Sequence, residues 1–202
     1  RCLRVSWASE MCIRDSYIAV VLHNYRQQVV LHDRFGPVQT SADVLVQINS
    51  NPSNFSIEYL DWNPEKEGYI ARLAAAFGDY VIDAEKAGSS YDYVANAIRR
   101  WYMALPKFSK ECKVRPNGTS VGKRQQEMMK LFRANSSGSD LLFKKLPAAF
   151  DYSNFTADAV GDIVSAKMLF DGLLNELKKH LIEETKLLFL LSLIHISEPT
   201  RP

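Results

Sequence analysis

The side chains of this 202-residue chain that could do chemistry are, first of all, cations. From Arg99 to Lys145 twelve Lys or Arg stand against three acids, net +9, whereas Asn54 to Asp92 holds eight acids and three bases, net −5. A positive face with aromatics beside it, here Tyr102 and Phe108, can follow a phosphate backbone through counterion release and base stacking. Arg99, Arg100, Lys107, Lys110, Lys113, Lys123 and Arg124 are therefore the candidate contacts to DNA or RNA. The competing expectation is that the acidic and basic stretches face each other, or solvent. Trp101 lies on a helical stripe and reads as core rather than as a stacking platform. Across the whole chain 25 basic and 23 acidic residues leave only +2, so no global excess demands nucleic acid or a membrane surface.

Other chemistries find less support. Gly118-Thr119-Ser120-Val121-Gly122-Lys123-Arg124 invites comparison with a phosphate-cradling glycine loop. Three residues separate its glycines where four are needed, Arg124 stands where a hydroxyl residue should bind magnesium, and no strand leads in. Cys112, flanked by Lys110 and Lys113, reads as an exposed thiol on a basic loop, with no His or Asn arrangement to make it a nucleophile. His23, His32 and His180 lack the spacing to share a metal. Glu183 and Glu184 are helical neighbours about 100° apart and cannot oppose each other across a substrate. The glycosylation-type triplets at Asn54, Asn117, Asn135 and Asn154 read as turns and caps. No catalytic group, metal or cofactor is assigned.

The elements that must position these residues begin with a repeat. Val20-Val21-Leu22-His23 recurs as Val29-Val30-Leu31-His32, which suggests a β-hairpin; a helix using positions 18, 21, 22, 25 and 29 is the alternative. Ser41 can cap a short helix through Val44, Leu45 and Ile48 that Asn51-Pro52 stops, and Phe55 to Tyr59 alternates like a half-buried strand. This small unit, residues 17–62, could be winged-helix-like. Asn63-Pro64 then opens a helix with Tyr69, Ile70, Leu73, Phe77 and Val81 on its stripe, ending at Gly88. Tyr91 to Leu105 makes a second helix, Ser109 to Ser120 a loop, Gly122 to Ala134 a third helix, and a short fourth is stopped by Pro147. Residues 63–150 form this helical unit. From Thr156 a last helix runs to about Leu190, some 50 Å long at the helical rise, and outruns its own core. It is expected to pack on further structure or pair as a coiled coil, although Glu184 interrupts the heptad seam.

The fold class is thus α-rich α+β: a small N-terminal β-hairpin and strand unit, a helical array, and one long C-terminal helix. With 47% apolar residues the chain can bury a core, and no apolar run approaches the ~20 residues of a bilayer crossing, so no membrane partner is expected.

Both ends resemble something else. Met11-Cys12-Ile13-Arg14-Asp15-Ser16 can be encoded by ATG TGT ATA AGA GAC AG, whose opposite strand encodes the Leu191-Ser192-Leu193-Ile194-His195-Ile196 of the other end. The relation extends outward to Val5-Ser6-Trp7-Ala8 and to Ser197-Glu198-Pro199-Thr200-Arg201. Residues 1–16 and 191–202 therefore resemble translated transposase-type sequencing adapters, which implies a natural protein continuing past Tyr17 and Leu190. Between these flanks only Cys112 remains of three cysteines, which suits a cytoplasmic setting. Ile98 to Phe108 and Leu141-Leu142-Phe143-Lys144-Lys145-Leu146-Pro147 resemble helical parts of very large bacterial ATP-binding proteins of phage-defence and restriction type. That resemblance implies a parent with an ATPase domain elsewhere, the present chain being its scaffold or coupling region and the parent's remaining domains its partners; a nucleic-acid-contacting module is the alternative.

Overall fold

The computed structural model describes residues 7–134 and 136–196, with side-chain surroundings from 16 to 191 apart from 135. Of the adapter-like ends only residues 7–16 and 191–196 are described, both helical; the rest lie outside the described residues. In chain order the elements are α1 (Trp7–Asn24), β1 (Val29–Asp33), β2 (Gly36–Val38), α2 (Ala42–Ser50), β3 (Ser56–Tyr59), α3 (Pro64–Ala76), α4 (Ser90–Ala104), α5 (Lys107–Glu111), α6 (Lys123–Arg133), α7 (Gly138–Asp140), α8 (Leu146–Ala149) and α9 (Ala157–Ile196). Helices dominate, the sheet is small and antiparallel, and the last helix is long, so the chain is α-rich α+β. Among the described residues no helix is long and apolar enough to cross a membrane.

The sheet has the order β2-β1-β3. Its hairpin joins Val29–Asp33 to Gly36–Val38, not to Val20–His23, which is helical within α1. The helical alternative prevails there because Leu22 is buried and Val21 half-buried on one helical face, while Val29–Asp33 gains a partner on each side. The hairpin turn is fixed by Asp33, whose Oδ1 accepts from the N–H of Phe35 at 2.7 Å and of Gly36 at 2.9 Å. Gly36 sits at φ 135°, where a side chain would be strained. β3 forms where alternation predicts it, yet all four of its residues are exposed.

Caps mark the helix starts as the sequence suggests. Ser41 Oγ accepts from Val44 N at 3.3 Å, Asn63 Oδ1 from Lys66 N at 2.9 Å and Thr156 Oγ1 from Ala159 N at 3.3 Å, each satisfying a donor the helix leaves unpaired. Three stops differ from expectation. α3 ends at Ala76, followed by tight turns at Gly78–Tyr80 and Asp83–Ala87 instead of helix up to Gly88; Val81 still packs on the core. The 109–120 loop begins inside the short helix α5 and ends as a tight hairpin with a bridge from Val114 to Ser120. There Gly118 N donates to Arg115 O at 2.9 Å and Gly118 takes φ 83°, the left-handed step that lets Arg115 N reach Thr119 O at 2.8 Å.

Pro147 does not stop its helix. Residues Leu141–Lys145 form a wide π turn in which Leu146 N reaches Leu141 O, and this local widening accommodates a ring that would otherwise meet the carbonyl four residues back. The stop comes at Asp151, at φ 62°, with Tyr152 N on Pro147 O and Asp151 N on Ala148 O, the paired bonds of a left-handed C-terminal cap. α9 likewise runs past Leu190 to Ile196.

The core is centred on α4. Val94, Ile98 and Trp101 are fully buried on one face, against Leu73 and Phe77 from α3 and its end, Met128 and Phe132 from α6, and Phe170 and Leu173 from α9. Trp101 meets Phe77 and Phe132 edge-on at 5.4 and 6.0 Å, and its Nε1 donates to Asp171 Oδ1 at 2.7 Å.

Candidate functional site

Opposite its apolar face, α4 carries Asp92, Asn96 and Arg99 at i, i+4 and i+7, a spacing that aligns them along one stripe. This stripe forms one wall of a cleft of about 950 Å³. The end of α1 and the β1–β2 hairpin form a second wall, and the segment Ser136–Ser139 a third. The two halves are clamped beside it: Gln27 Oε1 accepts from Ser90 N at 3.0 Å and Ser90 Oγ at 2.7 Å, and Tyr91 Oη donates to Val29 O at 3.1 Å.

Within the cleft Asp92 is half-buried and accepts from the Ser89 hydroxyl. Loss of solvent pushes its carboxyl above the ordinary range, against the opposing pull of the Ser89 bond and the Arg99 charge. Gly138 packs on it so closely that a methyl there would stand 2.7 Å from Asp92 Oδ1 and 3.3 Å from Ala95 Cβ. Arg99 donates to Asn96 Oδ1 at 3.2 Å and to the Ser136 carbonyl. Asn96 stands near Glu85 and adds slightly to what holds that carboxyl low, so Arg99, Asn96, Glu85 and Arg100 neighbour one another.

The basic residues singled out in the sequence are dispersed over several surroundings. Arg100 forms a two-bond fork with Glu85 at 2.7 and 2.8 Å and donates through Nε to Tyr80 O at 2.7 Å. That fork holds the Glu85 carboxyl below its usual range and raises the guanidinium. The acidic and basic stretches thus meet at this point. Lys110 donates to Met103 O at 2.9 Å and lies 5.1 Å over the Tyr102 ring. Arg124 pairs with Asp151 at 3.0 Å, and Lys123 and Arg124 border a shallower depression of about 480 Å³ together with Lys145. Lys107, Lys113 and Lys123 are exposed and have no ion-pair partner among the described residues. Arg115, Lys144 and Lys145 of the same stretch are held by Glu176 and Asp140.

Cys112 is buried, not exposed; burial pushes its thiol up, and Sγ donates to Val114 O at 3.1 Å. The short helix α5 and the hairpin after it fold over the sulfur, which the basic neighbours in sequence do not indicate. His32 Nε2 meets Glu58 at 2.9 Å, His23 borders the cleft and His180 lies on α9. Asn117 Oδ1 accepts from Thr119 N at 3.0 Å and Thr119 Oγ1 at 2.6 Å, as a turn residue would; Asn135 lies outside the described residues. Among the described residues no group of three or more His, Cys, Asp or Glu is placed to hold a metal.

A third feature is the far part of α9. From Leu181 to Leu191 every residue is exposed, including Leu181, Ile182, Leu187, Leu188, Phe189, Leu190 and Leu191. Sequence reasoning found this ridge but missed the cleft. Asp92, Asn96 and Arg99 were legible as a helical stripe, whereas Arg26 and Ser136–Ser139 join them only through the tertiary fold. Compared with known proteins, the chain matches no family model, no curated protein and no solved structure.

Proposed function

We propose that this chain is a helical scaffold whose α9 arm couples the folded body to further domains of a larger multidomain protein. The observation that carries this reading is the ridge from Leu181 to Leu191, more than half exposed at Leu181, Ile182 and each apolar position from 187 to 191. An apolar ridge of this extent is stable in water when another surface covers it. A parent of the ATP-binding phage-defence or restriction type is the version of this reading that the sequence resemblance favours. The test is amide hydrogen exchange over residues 181–190, compared between this chain and the product of the complete genomic reading frame. Protection rising by about a hundredfold in the longer product, equivalent to roughly 2.7 kcal/mol of closure, is expected. Equal exchange in both would overturn the reading.

A second reading, a nucleic-acid-contacting module, is favoured by the exposed Lys107, Lys113 and Lys123, which have no ion-pair partner among the described residues. It requires affinity for DNA or RNA that falls steeply with salt, with a log–log slope of about −0.7 to −0.9 per phosphate neutralised. Absence of binding at low salt removes it.

A further inference from the structure

The three-stranded sheet has two edges, and they are not alike. Hydrogen-bonded pairs alternate along an antiparallel ladder, so one bond fixes which residues of β3 address β1. Leu60 N donates to Gln28 O at 2.7 Å, in the register that sets Val29 opposite Tyr59. Counting back in steps of two, Glu58 and Ser56 bond β1 through their backbone, and the N–H and C=O groups of Ile57 and Tyr59 point away from the sheet. His32 turns its own backbone groups to Ser56, so its neighbour on the other side, Pro37 of β2, is directed outward. Proline has no N–H to offer, and that edge is closed to a further strand.

The β3 edge has no such guard. Backbone at Phe55 is already extended, at φ −116° and ψ 146°, and the run from Phe55 to Tyr59 contains neither proline nor lysine. Its one charge, Glu58, is engaged with His32 at 2.9 Å. Ile57 and Tyr59 are 62% and 69% exposed. Phe55, Ile57 and Tyr59 alternate onto one face, where Ile57 continues the cross-strand row of Val38 and the buried Leu31.

We infer that β3 pairs with β3 of a second copy of this chain, antiparallel about a two-fold axis at Ile57, so that two small sheets become one of six strands. Ile57 exchanges both backbone bonds with the partner's Ile57, and Tyr59 N–H donates to the carbonyl of the partner's Phe55. On the apolar face Ile57 then meets its own counterpart and each Tyr59 ring meets a Phe55 ring, the cross-strand pairs that hold sheets together. On the opposite face Glu58 stands across from Ser56. The alternative two-fold registers are worse: one sets Glu58 directly against Glu58, and the other carries Tyr59 past the end of the extended run into the turn at Pro52–Asn54. The interface is independent of the α9 ridge and of the scaffold reading.

The test follows the whole chain from about 10 µM to about 1 mM, the range in which so small an interface forms and dissociates. Sedimentation velocity is expected to show a reversible monomer–dimer equilibrium. Amide exchange read by NMR is expected to slow with concentration at Ile57 and Tyr59, by about fivefold when the chain stands about tenfold above the dimer dissociation constant. Ser56 and Glu58, already bonded to β1, should change less. Ile57→Lys brings two cations together at the axis, and Ile57→Pro removes an N–H that β1 does not use; each is expected to abolish the dimer while Glu58 stays protected. A chain that remains monomeric throughout overturns the proposal. So does a dimer formed by folded Ile57→Lys, or one whose protection falls on residues 181–190 and leaves Ile57 and Tyr59 open.

Discussion

Two carboxylates only seven residues apart respond to acid with opposite sign. Glu85 is held below its ordinary range by the Arg100 fork, so its contribution is complete above the unfolded value and is lost as the pH falls through the folded one. Glu85→Gln is therefore expected to destabilise at neutral pH, the deficit closing in the acid range. Asp92 is raised by loss of solvent; stability declines as the pH rises from the ordinary carboxylate value through the folded one, and the cost persists above it. Asp92→Asn, which can still accept from Ser89, is expected to be more stable than the native chain at neutral pH and to lose that advantage near pH ~4. Urea unfolding of both variants across this range checks the pair of signs. At the same contact Gly138→Ala would drive a methyl to within 2.7 Å of Asp92 Oδ1, and a loss of about 1–3 kcal/mol is expected in the same assay.

At the scale of elements, α9 divides its labour along its length. Leu173 is fully buried, whereas Leu188 is 66% exposed. Leu173→Ala is expected to cost about 2–5 kcal/mol and Leu188→Ala less than about 0.5 kcal/mol by denaturant unfolding. The elements were most legible where one residue type decides locally. Asn63 with Pro64 fixes a helix start, and Val94, Ile98 and Trp101 fix a face, because caps and 3.6-residue periodicity act within one or two turns. Legibility failed where distant packing decides. Val20–His23 carries β-branched residues, but β1 had nearer partners in the chain after it, and the segment became helix. Pro147 looked like a stop because its ring forbids a regular turn; a π turn absorbed it and the left-handed Asp151 closed the helix instead.

Across the whole molecule, stability should be graded around α4, which touches α3, α6 and α7 and places Tyr91, Val94, Ala95, Ala97, Ile98 and Trp101 in the core. Hydrogen exchange is expected to be slowest in α4 and fastest in α9 beyond Leu181, a gradient that a uniformly cooperative chain would lack. The cleft could not be read in advance for a related reason. Its walls come from four separated segments, and although Asp92, Asn96 and Arg99 share a visible stripe, Arg26 sits in a turn whose sequence says nothing of its neighbours. The long helix is seated on α3 and α5, and the Trp101 indole on Asp171 ties it also to α4, whose other face walls the cleft. About 22 Å of rod extends from Leu181 to Ile196 at the helical rise, so a sideways load on it acts as a lever against that seat. Torque arriving there reaches the last turn of the helix that walls the cleft, and the emission of Trp101 should report it in a chain with Trp7 and Trp62 replaced by Phe.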